Sequence, residues 1–202
     1  MTWGGFLQET LGEGDKVTSL LERNLPYWSF IGMDVRGHFG GLALGWDSRK
    51  IQMEGSWSIP SGLGMDGFFV DLGTKWTFIN IYGLHNDRGN FWSELLNNLV
   101  VKWYNLILGE DMNFSIGVLE SSRECVRPDI LLNFFSHLLT SSKLIDIHPI
   151  KLNTNWRKKG LGEDMVAKCI NRFLLSMASV SKHSLLQQWN RVGSESYHSP
   201  SY

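Results

Sequence analysis

The order of apolar runs and turn signals predicts an α/β (α+β) sandwich. Three observations carry that prediction. Strand-length apolar runs outnumber helical ones, Gly-marked connections of hairpin length join several of them, and amphipathic helical patterns arrive between groups of strands. With 202 residues, 43% of them hydrophobic and 19% charged, the chain has an ordinary globular composition and enough material for one sizeable core.

Residues 6–10 read as the end of a short apolar strand opening into a polar loop, which leaves Glu9 at a strand terminus. A helix follows over 15–24, with Val17, Leu20 and Leu21 at helical spacing and Asn24-Leu25-Pro26 as its stop. Residues 28–35 and 41–46 form an antiparallel pair across Gly37, Gly40 and Gly41, and 51–57 alternates as a further strand. The stretch 58–67 is turn-rich, and strands 68–72 and 76–82 meet across the short loop Gly73-Thr74-Lys75. A helix over 88–101 sets Trp92, Leu95, Leu96 and Leu99 on one face.

Residues 104–115 are the chemically suggestive stretch. An apolar run of strand length breaks at Gly109-Glu110-Asp111-Met112-Asn113 into Gly, carboxylates and an amide, which is how a buried strand delivers polar groups to the rim of a sheet. On extended backbone, Asp111 and Asn113 point the same way, toward one ligand. The residues by themselves equally fit a turn capped by Asp and Asn side chains. Beyond it lie a helix from about Pro128 with Leu131, Phe134, Phe135 and Leu138 buried, a short strand 144–147, a polar loop 155–160, a strand pattern 166–176, and a Ser-rich, loosely ordered tail 177–202.

A formal net charge of −1 and a sequence pI of about 6.6 argue against coating nucleic acid by overall basicity, so any such contact is local. Cys125 and Cys169 lie far apart without metal-ligand spacing, which points to a reducing compartment. With no positively charged leader and no apolar run of about eighteen residues, the expectation is an intracellular protein, nuclear or cytoplasmic, without membrane association.

Five pieces then fall in one order: Leu7-Gln8-Glu9-Thr10, Ile79-Asn80-Ile81-Tyr82-Gly83, Gly109-Glu110-Asp111-Met112-Asn113, Trp156 with 167–176, and Ser196-Tyr197-His198-Ser199-Pro200. Together they resemble the endonuclease/exonuclease/phosphatase superfamily. More narrowly, with Gly40 to Trp46 and Phe91-Trp92-Ser93-Glu94-Leu95, they resemble the endonuclease domain of plant LINE-type (non-LTR) retrotransposon proteins. The resemblance implies a DNase-I-like four-layer sandwich, two packed mixed sheets flanked by helices, in a single domain over 1–202.

It also implies a metal-dependent phosphodiesterase acting as a monomer on DNA, with RNA as a second candidate. Glu9 would hold the divalent ion, Mg²⁺ or in its place Mn²⁺. Tyr82 and His198 would bind the scissile phosphate, Asp111 would orient or deprotonate the attacking water, and Asn113 would steady the transition state. Asn171 takes the position of the group that orients the His, while Trp156, Arg157 and Lys158 would meet the substrate in its groove.

The chain departs from the family pattern at several of these points. Asn171 and Tyr197 stand where the family carries Asp, and Glu110 and Met112 replace the usual Gly and Phe. The family's first strand, with its Asn, and its last strand find no counterpart, so the domain is expected to be truncated at both ends. The resemblance therefore implies weakened or lost hydrolysis, and the alternative is a non-catalytic remnant that binds nucleic acid or a protein partner.

Overall fold

The computed structural model describes residues 3–10, 12–34, 40–59, 61–84, 86–99, 105–114, 129–147, 156–158, 166–168 and 170–182. The predicted sandwich is present. A three-stranded antiparallel sheet, ordered β1-β3-β2, contains β1 (Gly4–Leu7), β2 (Trp28–Met33) and β3 (Leu42–Asp47). A six-stranded sheet, ordered β4-β5-β6-β7-β11-β8, contains β4 (Ile51–Ile59), β5 (Gly62–Phe69), β6 (Thr74–Ile81), β7 (Leu106–Asp111), β8 (Leu144–Asp146) and β11 (Asn171–Ser176). Only the larger sheet is mixed: β6 and β7 run parallel, joined through helix α2 (Arg88–Leu99), and its other pairs are antiparallel.

Alternation along the strands explains why the larger sheet is covered on both faces. Phe78, Ile107 and Leu175 face Phe6, Leu42, Leu44 and Trp46 of the smaller sheet in one core. Their neighbours Ile79, Leu106, Leu108 and Leu174 face Trp92 and Leu96 of α2, and Phe135 and Leu139 of α3 (Leu132–Ser141), in a second core. Each large side chain so buried contributes about 1.5–3 kcal/mol. Helix α1 (Gly14–Asn24) completes the layers on the far side of the smaller sheet, where Gly14 packs backbone to backbone on Gly32. Leu20 of α1 stays exposed despite its helical spacing. Among the described residues no helix is long and apolar enough to cross a membrane.

Four sequence expectations are corrected. Residues 58–67 are not a turn region, because most of them form β5, whose glycines are filled from the neighbouring strands: Trp57 lies where a Gly64 Cβ would point, and Ile51 where that of Gly67 would. The polar loop 155–160 contains the strand β9 (Trp156–Lys158), paired with β10 (Val166–Lys168). The single strand pattern 166–176 is thus two strands, β10 and β11. Helix α3 begins at Leu132 after a turn in which Asp129 accepts the Leu131 amide, rather than near Pro128. In the tail, α4 (Met177–Lys182) follows β11 directly, and residues 183–202 lie outside the described part.

Candidate active site

The carboxyl ends of β1, β6 and β7 and the start of β11 meet at one rim, and the side chains there are tied together. Gln8 lies between them. Its Nε2 donates to Asn80 Oδ1 at 2.9 Å and to the Ile81 carbonyl at 2.7 Å, while its Oε1 accepts the Asp111 amide at 3.3 Å. Asn80, fully buried in the apolar strand β6, donates to the carbonyls of Leu7 and Ala43 at 2.8 and 3.0 Å, stitching the two sheets together.

Glu9 follows two residues past the end of β1 with a left-handed backbone, φ 53°. Gly40 makes room for it: a Cβ there would meet Glu9 Cα at 2.6 Å, so a larger residue would push the loop away. The carboxylate is exposed at the rim and accepts the Tyr82 hydroxyl. Burial pushes Tyr82 up to about 12, with the negative charges of Asp111 and Glu9 and the Glu9 hydrogen bond adding to it. Tyr82 is therefore a protonated donor at neutral pH, and it senses both carboxylates at once.

Asp111, the last residue of β7, is buried, and Asn171 is its direct cross-strand partner on β11. The pairing runs one step further, Met112 donating to the Ile170 carbonyl at 3.1 Å. Asn113 does not continue on extended backbone as its spacing suggested. It turns left-handed, φ 51°, because Asp111 Oδ1 accepts its amide at 2.9 Å, a turn closure that Asn tolerates better than most residues. Its side-chain Nδ2 then donates to the Gly83 carbonyl at 2.6 Å, while Gly83 donates its own amide to Asp111 O at 2.6 Å. Turn capping and placement at the rim, offered by the sequence as alternatives, coexist in Asp111.

The structure thus brings together Glu9, Tyr82, Asp111, Asn113 and Asn171. Trp156, Arg157 and Lys158 lie on β9, in register with Lys168, Ala167 and Val166. His198 and Tyr197 lie outside the described residues. Gln8 and Asn80 are the members that sequence reasoning gave no role; the available signal was a lone amide inside the apolar run 76–81. Among the described residues no group of three or more His, Cys, Asp or Glu side chains gathers as a metal cage. The oxygen-only donors Glu9 and Asp111 nevertheless suit a hard cation such as Mg²⁺, which is commonly held by one or two carboxylates, with water and substrate phosphate completing its shell.

No protein-family model matches the chain, and no curated protein sequence does. Solved structures do match. The endonuclease domain of TRAS1, a telomere-specific non-LTR retrotransposon, aligns with a TM-score of 0.70 over 99% of this chain and 96% of that domain, at 10% identity. The AP endonuclease LMAP from Leishmania major gives 0.69 over 98% of this chain and 76% of that one, at 12% identity. D. rerio TDP2 complexed with a single-strand DNA product gives 0.56 over 94% and 75%, at 12% identity. Identities this low speak to architecture alone. In architecture the chain has a DNase-I-like α/β sandwich fold.

Proposed function

We propose that the chain is a nuclease-type phosphodiesterase domain of retrotransposon origin, akin to the LINE-type endonucleases, acting on DNA with Mg²⁺ and with weakened turnover. The observation that carries this reading is the Tyr82 hydroxyl on Glu9, with Asp111 close enough to raise the same hydroxyl's pKa. Asp111 is the candidate to orient the attacking water, and Tyr82, protonated at neutral pH, would turn its one proton from Glu9 to a phosphate oxygen when substrate binds. Asn113 would hold the turn and the developing charge. A bound Mg²⁺, with Glu9 as its protein ligand, would neutralise phosphate charge. The fold neighbours that include a retrotransposon endonuclease and an AP endonuclease are consistent with this chemistry.

Asn171 supports weakened turnover: an amide opposite Asp111 keeps hydrogen bonding but brings no charge to hold a cationic His198. The test is nicking of supercoiled plasmid by the purified chain with Mg²⁺. Slow nicking is expected, lost in Asp111→Ala and raised by Asn171→Asp with Tyr197→Asp. A folded restored variant that nicks no faster would remove the roles given to those two positions.

The same substitution favours a second reading, a remnant that binds nucleic acid without cutting it. Salt-dependent DNA binding without Mg²⁺-dependent cleavage, lost in Lys158→Ala with Lys159→Ala, would establish it. No binding at low salt would exclude it.

A further inference from the structure

Two guanidinium–carboxylate pairs grip the backbone just after Asp111, one at each end of an aromatic stack. Arg88, at the start of α2, makes a two-pronged contact with Asp129 at 2.6 and 2.9 Å, and its Nη1 also donates to the Asn113 carbonyl at 2.8 Å. Arg172, on β11, donates to Asp146 at 2.6 Å and, at the outer edge of hydrogen-bond range, to the Phe114 carbonyl at 3.4 Å. Between them the rings of Phe114 and Phe135 stack at 4.2 Å and 15°. Arg172 lies 5.6 Å from the Phe114 ring centre and Arg88 lies 5.8 Å from that of Phe135. The order is Arg172, Phe114, Phe135, Arg88.

Neither pair is a surface ornament: the Arg and Asp side chains are 19% and 12% exposed in the first, and 2% and 7% in the second. Buried ion pairs are weak sources of net stability, because desolvation offsets much of the attraction. What this arrangement supplies is direction. Consecutive carbonyls, those of Asn113 and Phe114, are each held by a planar cation that is itself fixed by a carboxylate and a ring face. The backbone held this way includes Asn113 at φ 51°, a conformation that persists when its surroundings over-determine it.

We propose that Arg88 and Arg172 are positioning residues, fixing the turn that aims Asp111 and Asn113 without touching the reacting groups. The activity consequence rests on the nuclease reading, whereas the geometric one does not.

The test uses the full chain carrying Arg88→Lys, Arg172→Lys, or the paired change Arg88→Met with Asp129→Leu, which removes the charges without stranding a carboxylate. Two readouts are taken: Mg²⁺-dependent cleavage kinetics, and amide hydrogen exchange at Asn113 and Gly83, with Met65 on β5 as the internal reference. The expected result is exchange at Asn113 and Gly83 faster by about tenfold with Met65 unchanged, in the paired variant as well. Turnover falls by about tenfold with KM within about twofold. Unchanged exchange at Asn113 and Gly83 in the paired variant, or faster exchange shared by Met65, overturns the inference. A wild-type chain that does not nick DNA removes the nuclease reading, and the exchange measurement still decides the positioning role.

Discussion

Tyr82 gives the clearest residue-scale prediction. Its proton is held more tightly in the folded chain than in the unfolded one, so the stabilisation it brings is fully present below pH 10 and disappears as pH rises from 10 to about 12. Thermal melts should show wild type losing more of its midpoint across that window than Tyr82→Phe; parallel curves would mean that the hydroxyl does not sense the carboxylates. Asn171→Asp sets a second carboxylate across from Asp111, and like charges on facing strand positions repel. In metal-free buffer at neutral pH it should cost about 2 kcal/mol, a loss that shrinks in acid as one carboxyl takes up a proton. An equal loss at both pH values would show that the two side chains do not interact. Glu9, Tyr82 and Asp111 were legible because each ends an apolar run, and the resemblance ordered them. Gln8 was not, since its partner Asn80 lies 72 residues away and nothing local announces it.

At the scale of elements, the strand β5 shows why composition misled. Gly62, Gly64 and Gly67 look like punctuation, yet each lies in a ladder where a neighbouring side chain occupies the space of the missing one. Gly64→Ala drives a Cβ to 2.3 Å from the Trp57 ring and should cost about 1–3 kcal/mol. Gly55, at the irregularity of β4 and with nothing within 4 Å of its would-be Cβ, should accept Ala with no loss and a gain of up to about 1 kcal/mol. Urea midpoints of the two variants check the contrast, and equal effects would contradict the packing account. The strands β6 and β7 were legible for the opposite reason. Buried on both faces, they read as continuous apolar runs that leave little else to be.

For the whole molecule, the sandwich was legible because helices fall between groups of strands, whereas the polar tie between its sheets was not, because among the described residues it rests on two amide side chains, Asn80 and Gln8, that no local pattern announces. Asn80→Ala deletes the two hydrogen bonds to the Leu7 and Ala43 carbonyls and leaves a cavity where a fully buried side chain stood, and should lower unfolding free energy by about 2–4 kcal/mol, read from urea denaturation. A cost near that of a surface substitution would show the sheets held by their side-chain core alone. That tie also sets a timetable. The smaller sheet can close on its own early residues, but Gln8 must wait for Asn80, and then for Asp111, 103 positions along the chain. Joining such distant segments is the slow part of folding, since the loop must close before the contacts form. A growing chain that has left the ribosome as far as β6 therefore displays Glu9 and Tyr82 with no Asp111 beside them, and the rim is assembled only when β7 emerges.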